Sequence, residues 1–199
     1  AHATLEPQNC TADVKADSCD LYVPTQIQQV AQATAANAAG LQTSQVRVHT
    51  TFLGGGFGRR LEVDFIPAAV EASKAVGQPV KLLWTREDDM RAGYYRPAYY
   101  HTLKAGLDAN GNVVAWQHRI VGQSILSGTA FEGAMVKNGV DATSVEGASS
   151  LPYAIPNLAV DLHSPKLAVP VLWWRSVGST HTAFSTETFI DELAATAGK

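Results

Sequence analysis

The chain has 199 residues, 46% of them hydrophobic and 17% charged, with a formal net charge of −3 and a sequence pI near 6.1. That length holds one large domain or two small ones with a real core, and the acidic balance leaves no electrostatic footprint for nucleic acid or an anionic membrane. No apolar run approaches the ~20 residues that span a bilayer. No basic n-region marks a signal peptide, and without an initiator Met the chain reads as part of a longer one.

In chain order, Gln8 to Val14 and Cys19 to Val23 read as two strands around the polar turn Lys15-Ala16-Asp17-Ser18. Pro24-Thr25 opens a helix over Ile27 to Ala38, ended by Gly40. Val46 to Leu53 is strand-like, with β-branched residues alternating with Arg47 and His49. A helix over Phe65 to Val76 follows, with Asp64 as its expected cap, Pro67 in its first turn and Gly77 ending it. Pro79 to Thr85 reads as an apolar strand. Tyr99 to Leu107 and Asn112 to Val121 form a hairpin around Asp108-Ala109-Asn110-Gly111, whose Asn-Gly step is a strong turn signal.

Ser124 to Ser150 is a glycine-rich stretch of little periodicity, the longest expected loop and a lid or docking candidate. Leu158 to His163 and Val169 to Trp174 read as short strands, and Ala183 to Ala197 as a closing helix. Strands and helices mix without strict βαβ alternation. The expectation is an α+β, or mixed α/β, fold: one domain over 1–199, or two packed lobes over 1–90 and 91–199.

The chemistry begins at Gly54-Gly55-Gly56-Phe57-Gly58. Serial glycines admit positive φ and bring backbone N–H groups against a ligand with no Cβ in the way. The dinucleotide fingerprint fails, because Arg59 stands where its third glycine belongs, and no Gly-Lys-Ser/Thr step makes a Walker loop. From the glycines alone, a tight turn is a better reading than a ligand cradle.

The longer run His49-Thr50-Thr51-Phe52-Leu53-Gly54-Gly55-Gly56-Phe57-Gly58-Arg59-Arg60 is similar to the glycine loop of the xanthine dehydrogenase and aldehyde oxidoreductase superfamily, in its molybdopterin-binding large subunit. Three further segments resemble the same family in order: Ala1 to Ala12, Pro24-Thr25-Gln26, and Trp173-Trp174-Arg175-Ser176-Val177-Gly178. Gln26 lies 28 residues before Gly54, the spacing of the family's glutamine that hydrogen-bonds an oxo ligand of molybdenum. The segments Trp84 to Met90, Tyr153 to Asn157 and Phe189 to Leu193 fit as well. The flavour of His-Thr-Thr-Phe-Leu and Gly-Arg-Arg resembles the isoquinoline 1-oxidoreductase branch.

The resemblance implies a molybdenum-cofactor-binding fold and hydroxylation of an N-heteroaromatic ring or an aldehyde with water-derived oxygen. It assigns Gln26 and Arg175 to catalysis and Gly54, Gly55, Gly56, Phe57, Gly58 and Arg59 to cofactor binding. Glu62, Trp174 and Val177 fall to the substrate pocket, and no protein side chain ligates the metal directly. The implied cofactor is molybdopterin with molybdenum, in its cytosine dinucleotide form, with two-iron two-sulfur clusters in a partner subunit. The implied partners are the remainder of the large subunit, the small iron–sulfur subunit and a cytochrome electron acceptor, in a bacterial periplasm, with the cytoplasm as alternative.

Two departures stand against the pattern. The superfamily often carries a glutamate four positions after the phenylalanine; here that place is Leu61, and Glu62 comes one later. The family's base glutamate and most pterin and nucleotide contacts lie in later segments, so these residues are expected to be inactive alone and without metal. The alternative is a non-catalytic scaffold or partner-binding domain of the same fold.

Other residues carry competing readings. Cys10 and Cys19 either close a disulfide across their hairpin or stay as buried thiols. Arg59-Arg60 is either a cofactor clamp or a helix-flanking surface pair. Tyr94, Tyr95, Tyr99 and Tyr100 line a channel or pack on a sheet. Glu87-Asp88-Asp89 lacks calcium-loop spacing and reads as a solvated turn or helix start. The six histidines show no metal spacing and suit surface or hydrogen-bonded core positions.

Overall fold

A computed structural model describes residues 1–199 as two compact units, Ala1–Tyr94 and Tyr95–Lys199. The fold is mixed α and β. No helix is long and apolar enough to cross a membrane.

In the first unit, β1 (Asn9–Val14), β2 (Cys19–Val23), β3 (Val46–Thr50) and β4 (Val80–Leu83) form one sheet in the order β3-β2-β1-β4. β2 and β3 are parallel because α1 (Gln28–Ala39) carries the chain back between them. Side chains alternate across each strand, so Cys10 and Ala12 of β1 and Cys19, Leu21 and Val23 of β2 share the buried face. On that face lie α1, through Ala31, Ala35, Ala36 and Ala39, and α2 (Ile66–Val76), through Ile66, Ala69, Val70 and Ser73. Alanines at helical spacing let α1 approach the sheet closely.

Glycines at φ 75° and 64°, Gly40 and Gly77, end the two helices in the left-handed conformation. Asp64 is not the cap of α2. Phe65 holds the N-cap position, and the Asp64 carboxylate is taken by Arg59. The acidic run starts α3 (Arg86–Arg91), where Thr85 and Asp88 form a reciprocal capping box. Asp89 departs from the expected solvated turn: it is buried and accepts from Arg86 Nη1 at 2.8 Å.

The cysteines are free and buried. Cys19 stands opposite Val14, and Cys10 lies four positions along β1 from Val14. At ~3.3 Å per residue that offset is roughly 13 Å, beyond the ~7 Å that a disulfide tolerates between Cα atoms.

The second unit holds β5 (Tyr99–Leu107), β6 (Val113–Gly122) and β9 (Leu158–His163), with β6 antiparallel to β5 and parallel to β9. The β5–β6 turn closes on Asp108, whose Oδ1 accepts from Asn110 N and Asn112 N, with Gly111 at φ 75°. The stretch after β6 is more ordered than its composition suggests. It contains α4 (Glu132–Met135), the two-residue strands β7 (Val136–Lys137) and β8 (Val140–Asp141), and a short 3-10 turn, Ala142–Val145. Its hub is Asp141, fully buried and accepting from Ser124 Oγ, Leu126 N, Thr143 N and Thr143 Oγ1. The expected strand over Val169 to Trp174 reduces to one bridge, Val171 to Tyr95, because Pro170 has no N–H to extend a ladder. The closing helix α5 begins earlier than expected and runs Ser179–Thr196.

Candidate functional site

The glycine loop leaves the end of β3 and turns into a short 3-10 segment, Arg59–Leu61. Gly55 and Gly58 take φ of 96° and 99°, and Phe57 takes 56°, rare for a residue with a Cβ. Gly54 and Gly56 each answer a separate close approach. A Cβ on Gly54 would fall 2.3 Å from Glu6 Cβ, and one on Gly56 would fall 2.5 Å from Gln26 Oε1.

Gln26 arrives from the β2–α1 junction. Its backbone N–H donates to Arg60 O at 3.0 Å, and Thr25 Oγ1 donates to the same carbonyl at 3.2 Å. Its side-chain Oε1 accepts from Gly58 N at 3.1 Å and Arg60 N at 3.3 Å. Two backbone donors at one end decide the orientation of the amide: the oxygen faces the loop, and the NH2 end is the free donor. Gln26 is exposed, and nothing in the chain accepts from that NH2.

Two residues hold the loop from behind: Arg60, which the sequence left between a cofactor clamp and a surface residue, and Glu6, to which it gave no role. Arg60, 0% exposed, donates from Nε to Gly55 O at 2.7 Å and from Nη2 to Glu6 O at 2.7 Å and Glu6 Oε2 at 3.0 Å. Its Nη1 reaches Gln8 Oε1 and Pro24 O, each at 3.4 Å. Glu6 also bridges to Gly54: Gly54 N donates to Glu6 Oε2 at 2.8 Å, and Glu6 N donates to Gly54 O at 3.0 Å. Burial lowers the Arg60 pKa, while the carboxylates of Glu6 and Asp89 oppose that shift.

Arg59 is 2% exposed, so neither arginine is a surface residue. It forms a two-pronged ion pair with Asp64 at 2.9 and 3.0 Å, and its guanidinium lies 5.6 Å from the ring centres of Trp84 and of Tyr94. Glu62 follows at the end of the 3-10 segment, where burial first and the Asp64 charge second raise its carboxyl pKa. The amides of Gly55, Gly56 and Phe57 find no acceptor in the chain. Phe57 is 44% exposed, and Phe52, five residues earlier, is fully exposed.

The remaining expected site residues sit in the second unit. Trp174 to Val177 form a tight turn closed by Val177 N donating to Trp174 O at 2.7 Å, just before α5. Ser176 and Val177 take φ of 65° and 41°, a costly conformation for a β-branched side chain. Arg175 is exposed, and its carbonyl accepts from Arg96 Nη2 at 3.0 Å while the Arg96 guanidinium stacks 5.0 Å from the Trp174 ring centre. In the same unit, three histidines join ring to ring: His118 Nε2 is 2.8 Å from His101 Nδ1, and His101 Nε2 is 3.1 Å from His181 Nδ1. The pairing is linear, unlike the convergence a metal needs, and no group of three or more ligating side chains is present.

The model of the molybdopterin cofactor-binding domain matches residues 1–199. The chain belongs to that family. It is 29% identical over 194 residues to the isoquinoline 1-oxidoreductase subunit beta of Brevundimonas diminuta, covering 96% of this chain and 25% of that relative. It is 30% identical to a membrane-bound aldehyde dehydrogenase of Gluconacetobacter polyoxogenes, over 97% of this chain and 26% of that one. Among solved structures, an aldehyde oxidoreductase from Desulfovibrio gigas superposes with a TM-score of 0.80 at 20% identity, over 98% of this chain and 21% of that chain. Quinoline 2-oxidoreductase from Pseudomonas putida 86 gives 0.77 at 21% identity. This molybdopterin cofactor-binding domain thus spans about a quarter of the length of the curated relatives it matches.

The donor set of the domain fits an anionic or oxo-bearing cofactor. The N–H groups of Gly55, Gly56 and Phe57 and the Gln26 NH2 have no acceptor in the chain, and the absence of a Cβ at Gly56 is what lets the Gln26 amide lie against the loop. All are neutral donors, which bind such groups without adding charge.

Proposed function

We propose that this chain is the first cofactor-binding part of a molybdenum hydroxylase large subunit that oxidises an N-heteroaromatic ring or an aldehyde. The observation that carries the reading is the orientation of Gln26, fixed at its oxygen by Gly58 and Arg60 and left with a free NH2 beside the glycine loop. Molybdenum held by a pterin, when bound, supplies the two-electron oxidation of a carbon with oxygen from water. The residues of this chain bind and orient. Gln26 would donate to an oxygen of the cofactor, and the Gly55–Phe57 amides would supply further donors. The Phe57 ring, beside these donors, would help keep water from a bound cofactor and strengthen those hydrogen bonds.

In the second unit, the strained Ser176–Val177 turn presents Arg175, and strain of that kind concentrates at functional sites. Arg175 would hold an anionic cofactor group or negative charge developing on a substrate oxygen. Burial and the Asp64 charge shift Glu62 toward its neutral form, which suits the substrate-pocket place the resemblance gives it. Arg59 contributes through the loop it stiffens, because its charge is matched by Asp64. The cytosine dinucleotide form of molybdopterin, two-iron two-sulfur clusters in a small partner subunit and a cytochrome acceptor complete the reading, with the rest of the large subunit supplying the base.

The test is metal and nucleotide analysis of the intact subunit purified with its partner, beside steady-state oxidation of quinolines and aldehydes. Stoichiometric molybdenum with cytosine nucleotide, and turnover lost in Gln26→Ala without loss of folding, are expected. A full-length subunit that never carries molybdenum would end the proposal in favour of a scaffold.

A further inference from the structure

Four features of the first unit converge on Glu6 and Arg60. The Glu6 carboxylate caps the Gly54 amide and pairs with Arg60, and its own backbone closes a second bond with Gly54. The Arg60 guanidinium, wholly buried, takes the Gly55 carbonyl and the Glu6 carbonyl. The Arg60 main chain does the rest: its N–H holds Gln26 Oε1, and its carbonyl holds the Gln26 and Thr25 donors. One residue therefore ties the two halves of the donor set, loop and glutamine, to a common frame.

A loop of four glycines has many backbone states, and ordering each residue costs about 1–2 kcal/mol of entropy. Left alone, it would fold its free amides onto its own carbonyls. Arg60 occupies the carbonyl of Gly55 and Glu6 occupies the amide of Gly54, so those local pairings are blocked. The amides of Gly55, Gly56 and Phe57 have no acceptor in the chain.

We propose that Glu6 and Arg60 are positioning residues, an ion pair between a partly exposed carboxylate and a buried guanidinium that holds the glycine loop and Gln26 in the arrangement that accepts the cofactor. The role rests on the function proposed above. A lysine at 60 keeps the charge but cannot reach Gly55 and Glu6 together, because it lacks the planar fork of donors. A glutamine at 6 keeps an acceptor for Gly54 but ends the charge pairing.

The experiment uses the intact subunit with its partner and the variants Arg60→Lys and Glu6→Gln. Three quantities are read: hydrogen exchange of the peptide covering 52–60 in metal-free protein, molybdenum content, and the electron paramagnetic resonance signature of the reduced metal. Loss of a charge-assisted hydrogen bond predicts roughly tenfold faster loop exchange. Peptides from β1 and α2 are expected to stay at wild-type rates, with lower molybdenum content and an altered signature in the metal that remains. Wild-type exchange, content and signature in a folded variant would overturn the proposal. Should Arg60→Lys fail to fold, Glu6→Gln decides by the same readings. Should wild-type protein carry no molybdenum, the function falls, and loop exchange alone judges the brace.

Discussion

Gln26 Oε1 lies 2.5 Å from the position a Cβ would take on Gly56, so the glutamine and the glycine meet in space that any other residue would fill. The contact sets up the free NH2 of Gln26, because the same oxygen accepts from Gly58 and Arg60. Replacing Gly56 by Ala forces the amide away and breaks both bonds. The expected result in the intact subunit is a stability loss of about 1–3 kcal/mol with molybdenum content reduced more than folding. Denaturant midpoint and metal analysis on the same preparation measure the two. Full metal content in a folded Gly56→Ala protein would detach the Gln26 contact from cofactor binding.

Arg59 is the second buried cation beside the loop, and its partner Asp64 is one-quarter exposed. Arg59→Met removes the charge but keeps much of the stem that packs near Trp84 and Tyr94. Asp64→Asn instead leaves a buried guanidinium half matched. Breaking a buried pair from one side costs about 3–5 kcal/mol, so Asp64→Asn is expected to be the more damaging change. Chemical denaturation of both variants compares them, and the reverse order would show that the stacked rings, not the carboxylate, hold Arg59.

The elements were legible wherever the local pattern and the turn residue agreed. Gly40 and Gly77 stand where helices end, Asp108 to Gly111 where a hairpin turns, and β1 and β2 follow the alternation of their residues. The place of Gln26 beside the glycines came from a resemblance, since 28 residues of spacing carry no physical register of their own. What stayed hidden was non-local. Glu6 and Arg60 are 54 positions apart, and no periodicity joins them. The Arg59–Asp64 pair took Asp64 from the helix end where a capping role was expected, because a two-pronged charged bond outweighs one cap bond. The histidine row needed the strand register: His118 faces Leu103, one diagonal step from His101, and His181 arrives from α5.

The two thiols offer a check on the first unit's core. Burial raises Cys10 to about 12 and Cys19 to about 11, with the neighbouring thiol adding to the first and Asp20 and Asp13 to the second. A thiolate is the reacting species, so native protein at pH 8 is expected to resist iodoacetamide for hours. Both residues should alkylate at once in denaturant, and reductant should leave the melting temperature unchanged. Mass spectrometry of tryptic peptides reads the outcome, and rapid native labelling of Cys10 would show that the sheet and α2 part readily.

The histidine row makes the second unit acid-sensitive in a defined window. Burial is the main cause lowering His118 and His181 to about 4, and the facing imidazoles and Arg96 act in the same direction, while Asp161 pulls His118 the other way. His101, between them, is lowered by burial. Three neutral rings share two hydrogen bonds and leave one lone pair and one N–H at the ends, the unpartnered His118 Nδ1 and His181 Nε2. A second proton must therefore break a ring-to-ring bond. The sign follows from linkage: between the ordinary value near 6.5 and about 4, the unfolded chain binds protons that the folded chain refuses. Stability is complete above that window, declines as pH falls through it, and suffers no further loss from these groups below it. Urea midpoints of the intact subunit from pH 7.5 to 4.5 should fall accordingly, and His118→Leu, which removes the fully buried ring, should flatten the decline. The aromatic stack of Tyr99 on His181, 3.7 Å between centroids, supplies a local ultraviolet signal for the same transition. Parallel pH curves for wild type and His118→Leu would assign the acid response to other groups.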